Sequence, residues 1–258
     1  MQLNLKNKTV LITGGSKGIG LACAKVFKAE GARVAIVART ATTLAAAKAL
    51  LGEVYTVAAD LTDPAAAAAV IKEVEKNFGN IDILVNSAGA ANRTVPEELN
   101  PEIWRAAMDA KYFSYINVID PLIKLMAQRQ QGAIINVIGT GGKTPAPTHL
   151  AGGAANAALM LVTTGLASAY AEQGVRVIGI NPGLTRTERV NEGLIAEAKR
   201  LGMSEEDTLT QLVQNLPLKR LAEPEEIANL VAFAASNHGQ LLTGSNLTAD
   251  GAATPFIV

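Results

Sequence analysis

The sequence predicts an α/β fold: a doubly wound parallel sheet of seven strands, with helices on both faces, in a single domain spanning residues 1–258. Three observations carry this expectation. Short Val/Ile/Leu runs of strand length alternate with longer stretches of helical character, the pattern of a parallel sheet covered by crossover helices. Several of the short runs are near-continuously apolar, as strands buried on both faces require. Finally, no Pro/Gly/Ser-rich linker, internal repeat or long charge run divides the chain.

The elements follow in order. Thr9–Ile12, Arg33–Val37, Val54–Ala58, Ile83–Val85, Ala133–Val137, Arg176–Ile180 and Asn246–Ala249 read as strands. Ile19–Ala29, Leu44–Leu51, Ala65–Phe78, Pro101–Arg129, Ala154–Glu172 and Pro224–Ser236 read as the helices between them. Asp63 and Pro64 supply a cap and a first-turn proline ahead of the alanine run Ala65–Ala69. Residues 186–215 break the rhythm and read as a helical insertion, placed after a strand end where substrate lids tend to sit. Their leucines and Ile195 (Leu194, Leu201, Leu209 and Leu212) suit an apolar ligand.

Composition excludes several classes of function. Lys plus Arg equals Asp plus Glu at 23 each, so no net charge draws the chain to nucleic acid or to a membrane. The single cysteine, Cys23, excludes an internal disulfide, and its neighbours Ala22, Ala24 and Val26 place it in or near the core. The first residues lack the basic and apolar regions of a signal peptide, and no apolar run approaches the ~20 residues of a membrane span. A cytoplasmic protein without a metal site is expected.

Function is announced by the first loop. The strand ending Val10-Leu11-Ile12-Thr13 runs directly into Gly14-Gly15-Ser16-Lys17-Gly18-Ile19-Gly20, which opens a helix. Glycines there let the backbone turn tightly and approach a pyrophosphate at the helix N-terminus. The spacing is T-G-x-x-x-G-x-G, and in this it resembles the short-chain dehydrogenase/reductase family, a Rossmann-type fold. Further motifs extend the resemblance over nearly the whole chain. They are Asp60 and Leu61 in "AADLTD", Asn86-Ser87-Ala88-Gly89 for the family's N-N-A-G turn, Asn181-Pro182-Gly183 with Thr187, and the last strand in "TGSNLTADGA". The resemblance implies that Gly14, Ser16, Lys17, Gly18, Ile19 and Gly20 hold a dinucleotide, together with Asp60, Leu61, Asn86, Ala88, Gly89, Pro182, Gly183 and Thr187. Asp60 would reach the adenine, and Thr187 the nicotinamide amide. At the end of the second strand, where an acid would bond the 2′-hydroxyl of NAD, stands Arg39. Arg39 can pair with a 2′-phosphate, and Lys17 adds a second cation, so NADP(H) is expected over NAD(H).

The family's reaction uses a tyrosine as acid and base, a lysine four residues later, a serine thirteen residues before the tyrosine, and an asparagine on the preceding long helix. Aligning "IINVIG" and "AALMLVTTGLA" puts Gly139 at the serine, Gly152 at the tyrosine and Asn156 at the lysine. Aligning "WRAAMDAKYFS" puts Lys111 at the asparagine. All four positions are changed. Lys111 and Asn156 read as an exchange of ammonium and amide between neighbouring helices, provided their side chains meet. His149, three residues before Gly152, is the nearest substitute acid, although it also suits a solvent-facing or capping role. Lys111 is a rival acid if burial lowers its pKa, while Tyr112 and Tyr115 read as packing residues.

Two functions remain open at this point: an NADP(H)-dependent oxidoreductase with an atypical site, or a protein of the same fold without redox chemistry. The second could be a nucleotide sensor, an inactive subunit, or a lyase or hydrolase. An unidentified small molecule is the expected substrate. The resemblance also implies pairing through the two long helices, into a homotetramer or else a dimer.

Overall fold

Val10, Leu11 and Ile12 are fully buried in the middle of the first strand, and they show how the layers form. Alternate residues of a strand point to opposite faces. Val10 and Ile12 join one apolar cluster and Leu11 the other. The same split recurs at Val34 and Ile36 against Ala35 and Val37, and at Ile83 and Val85 against Leu84. The computed structural model, which describes residues 2–89 and 91–255, builds this pattern into seven parallel strands.

The strands are β1 (Thr9–Thr13), β2 (Arg33–Ala38), β3 (Tyr55–Ala58), β4 (Ile83–Asn86), β5 (Gly132–Val137), β6 (Val175–Pro182) and β7 (Asn246–Ala249), in the order β3-β2-β1-β4-β5-β6-β7. The chain winds outward from β1 in one direction and from β4 in the other. A crevice therefore opens between their C-terminal ends, the place where open α/β sheets bind ligands. Helices α1 (Gly18–Ala29), α2 (Ala41–Leu51) and α9 (Pro224–Ala235) cover one face. Helices α3 (Pro64–Phe78), α5 (Ser114–Gln128) and α6 (Leu150–Tyr170) cover the other. Asp63 caps α3 by accepting from the Ala65 amide at 2.9 Å, with Pro64 in the first turn. Cys23 is fully buried, and burial pushes its thiol up to about 12, so it is packing rather than chemistry.

Two sequence expectations need correction, and a third, the helical insertion, gains detail. The helix read over Pro101–Arg129 is not continuous. It consists of α4 (Pro101–Ala107), a π-helical segment Met108–Phe113, and α5. The wider turn carries Lys111, and the Ser114 hydroxyl donates back to the Ala110 carbonyl at 2.9 Å. The insertion at 186–215 is two helices, α7 (Glu188–Leu201) and α8 (Glu205–Asn215). Of its apolar residues, Leu194 packs inward while Ile195 stays exposed. Last, residues 147–173 do reach the length and apolarity of a membrane-crossing helix. Alanine and leucine density explains this, since Gly152, Ala155, Leu159, Thr163 and Ala167 face the protein interior.

Candidate active site

Two halves of a site meet at the crevice. The first is the glycine loop. Gly14 and Gly18 adopt positive φ, +66° and +51°, which a side chain would strain. A Cβ on Gly14 would also lie 2.7 Å from the Ser87 carbonyl oxygen. Gly20 is pressed against the Gly14 carbonyl, so any side chain there would push the loop open. Among the described residues no side chain caps the start of α1, which leaves its first amides to an external acceptor. The chain thus keeps a bare, positively polarised cradle of the shape a diphosphate fills.

Around the cradle the expected residues divide by what their side chains do. Asp60 is held by the amide and hydroxyl of Thr62 at 3.0 and 2.8 Å. These bonds, aided by Arg39, hold its carboxyl below the usual range. Arg39 is exposed beyond the end of β2. Lys17 turns toward α7 and pairs with Glu188 at 2.8 Å. Thr187 lies beside Gly18, where a Cβ would sit 3.3 Å from its methyl group. Gly183 is tied to β7 through the Ala249 carbonyl at 3.1 Å, next to Pro182. Ser16 and Ile19 remain half-buried in the loop and first turn.

Two expected cofactor residues point the other way. Leu61 is buried in the core, and only its carbonyl is used, by Asn117. Asn86 is fully buried in a relay that the sequence did not reveal. Thr13 donates to Asn86 at 3.4 Å, Asn86 to Asn136 at 3.0 Å, and Asn136 to Thr163 at 2.9 Å. Thr13 also accepts from the amides of Ser87 and Ala88 at 3.1 and 3.2 Å. The relay ties the ends of β1, β4 and β5 to α6, so Asn86 positions the loop and its amide is already spent. Gly89, at φ +78°, brings that loop against the π segment, where a Cβ would collide with the Ala110 carbonyl.

The second half of the site is the reaction centre. Gly139, Gly141, Gly142, Gly152 and Gly153 let the loop after β5 lie directly on α6. The imidazole of His149 enters the space they leave. A Cβ on Gly152 would collide with its Cε1 and lie 2.7 Å from its Nδ1. The ring therefore stands where a side chain at position 152 would begin. His149 Nδ1 is buried and makes no hydrogen bond among the described residues. Burial, then the charges of Arg93, Arg189 and Lys111, hold the imidazole down to about 4, so it is neutral near pH 7. The Nδ2 of Asn156, itself buried, faces the bare Gly139, where a Cβ would be 3.3 Å away.

Lys111 lies under the sheet end, only 8% exposed. Its Nζ donates to the Tyr115 hydroxyl at 2.8 Å and to the Val137 carbonyl at 3.0 Å. Burial, with Arg189 adding repulsion, brings the ammonium down to about 7. Tyr115, which donates to the same carbonyl at 2.6 Å, is pushed well above the usual phenol range by burial. It packs, as its position on the helix suggests. No hydrogen bond joins Lys111 to Asn156 among the described residues. The exchange reading is corrected to this extent: both groups are buried near the centre, and each has its own neighbours.

Sequence reasoning missed Arg93 and Arg189. Arg189 donates to the Ala91 carbonyl at 2.8 Å, and Ala91 borders Gly152, whose Cβ would lie 2.9 Å from the Ala91 methyl. A cluster of cationic side chains surrounding a neutral histidine was not legible in any motif.

Residues 8–197 match the model of the short chain dehydrogenase family. The chain belongs to that family. It is 32% identical to a 3alpha-hydroxysteroid dehydrogenase of Mediterraneibacter gnavus, over 98% of this chain and 99% of that one. It is 27% identical to an NADPH-dependent reductase of Bacillus subtilis, over 96% and 98%. Among solved structures, L-sorbose reductase from Gluconobacter frateurii, complexed with NADPH and L-sorbose, superposes with a TM-score of 0.90 at 32% identity over the full length of both chains. The seven-stranded α/β architecture read from the sequence is thus that of the family.

Proposed function

We propose that the chain is an NADP(H)-dependent oxidoreductase acting on a carbonyl or alcohol, with its polar chemistry moved from position 152 to His149. One observation carries the reading: an imidazole fills the space beside Gly152. The glycine loop, with positive φ at Gly14 and Gly18, supports it. NADP(H), when bound, supplies or accepts the reducing equivalent. Gly14, Ser16, Gly18, Ile19 and Gly20 would hold its diphosphate, and Asp60 its adenine. Ala88, Gly89, Pro182, Gly183 and Thr187 would line the remainder. Arg39 favours the 2′-phosphate over a bare ribose, as does Lys17 once released by Glu188. Two of the similar proteins, the sorbose reductase and the Bacillus subtilis reductase, are themselves described with NADPH, which supports this choice.

At the reaction centre, neutral His149 donates a ring N–H hydrogen bond to the substrate oxygen, and solvent water supplies the proton that converts the resulting alkoxide to the alcohol. Such a donor stabilises charge that develops on that oxygen without first having to lose a proton of its own. Lys111, brought down to about 7, places an amine that is charged only on the acid side of neutrality behind the centre. Asn156 fixes the loop at Gly139. Helices α7 and α8 form the substrate lid of one catalytic domain. Assembly through α6 is supported by an exposed stripe of mostly small residues at Ala154, Ala157, Leu161, Gly165 and Ser168, spaced by three or four residues. We expect a homotetramer, else a dimer. The lone buried cysteine suits a reducing cytoplasm.

A panel of ketones and secondary alcohols, followed at the NADPH absorbance band, tests the reading. Reduction of at least one ketone class with NADPH is expected. NADPH binding with no turnover on any member would favour the nucleotide-sensor reading instead.

A further inference from the structure

Arg93 lies on the loop after β4. Its half-buried side chain makes no hydrogen bond or ion pair among the described residues. It runs across α7 at Gly193, where a Cβ would sit 2.9 Å from its Nε and 3.2 Å from its Cδ. A glycine inside a helix costs about 1 kcal/mol relative to alanine. Here the bare position serves to seat a guanidinium. Arg189 stands one helical turn before Gly193, and Glu197 one turn after it.

The charges around this seat do not balance. Lys199 is taken by Glu98 at 2.5 Å, and Arg200 by Glu197 at 2.5 Å. Glu197 also accepts from Thr148 at 3.3 Å. Arg189 has only Glu192, at 3.1 Å in an exposed pair of the kind that is easily exchanged. Arg93 feels the repulsion of Arg189 and a smaller attraction from Glu197 in a partly desolvated place, so an oxyanion beside both cations is stabilising. Arg93 presents a whole fork to it, and Arg189 the Nη1 that its exposed pair with Glu192 can release. Arg93 also lines a cleft of about 390 Å³ between the loop after β4 and α7, with Val95, Ile195 and Lys199 and with the carboxylates of Glu98 and Glu192, which Lys199 and Arg189 pair. Arg189, through Ala91, is anchored beside the His149 centre.

We propose that Arg93 and Arg189 bind an oxyanion group of the substrate, a carboxylate or a phosphate, held away from the carbonyl that faces His149. This rests on the oxidoreductase reading above for the position of the carbonyl. The substrate class is therefore an anionic oxo or hydroxy compound.

The test is thermal-shift titration of the wild-type protein with levulinate and with inorganic phosphate, against the neutral methyl ester of levulinate. NADPH oxidation is followed with the same ketones. At least one anion should bind tenfold or more tighter than the ester. Arg93→Gln and Arg189→Gln should each erase that difference, and Arg93→Lys should restore part of it. The anion with the larger Arg93-dependent shift identifies the group. Equal shifts from anion and ester, no shift from either anion, or a preference that survives both glutamine variants would overturn the proposal. An Arg93-dependent anion shift without NADPH oxidation by any ketone upholds the anion site and overturns the oxidoreductase reading instead.

Discussion

Replacing His149 by phenylalanine should lower kcat/KM for ketone reduction by about 10²–10³, the usual cost of removing one preorganised donor at a developing oxyanion. Phenylalanine keeps a ring in the space beside Gly152, so the loop after β5 should hold its seat on α6. Affinity for NADPH should not change, because no hydrogen bond joins His149 to the glycine loop among the described residues. The pH profile gives a second check. His149 is held down to about 4, mainly by burial. Activity that depends on its neutral form is therefore kept through neutral pH and lost only as the ring is protonated in acid. If the phenylalanine variant reduces ketones at the wild-type rate, the donor to the substrate oxygen lies elsewhere and Lys111 becomes the candidate.

The second large effect is on stability. Lys111 has its ammonium brought from 10.5 to about 7, by burial first and Arg189 second. In the unfolded chain the same group keeps its ordinary value. Below about pH 7 both states hold the proton, and folding bears the cost of burying the charge. Between about 7 and 10.5 the folded chain has released the proton while the unfolded chain still binds it, so stability rises with pH across that window. The full span is at most about 5 kcal/mol at 1.36 kcal/mol per unit. Lys111→Met removes the titrating group and leaves the Val137 carbonyl bonded to Tyr115. Urea unfolding at about pH 6 and about pH 9 should show wild type gaining stability with pH relative to the variant, which should be the more stable of the two at the lower pH. A wild-type curve parallel to the variant's would mean that Lys111 keeps its proton and is solvated.

The fold was legible because buried parallel strands write themselves as Val/Ile/Leu runs. All seven strands were found, with errors of a residue or two at their ends. The cradle was legible for a related reason, since Gly14, Gly18 and Gly20 are required by backbone shape and their spacing survives in the sequence. The π segment at Met108–Phe113 was not, because one extra residue in a turn leaves the apolar periodicity of the helix nearly intact. Asn86 and Leu61 match a motif by position, but the direction of a side chain is set by the pleat and by neighbours such as Thr13 and Asn136. That His149 fills the space at Gly152 depends on five glycines folding one loop onto one helix. Arg93 and Arg189 come from different crossovers, and only the folded sheet brings them near the same histidine.

A working cofactor site beside a rebuilt reaction centre is the central claim. Fluorescence titration of the wild-type protein with NADPH and with NADH tests the cofactor site directly. Saturable binding is predicted, with NADPH at least about tenfold tighter through charge-assisted bonds from Arg39 to the 2′-phosphate, a difference of about 1.4 kcal/mol. Saturation by neither nucleotide would contradict it.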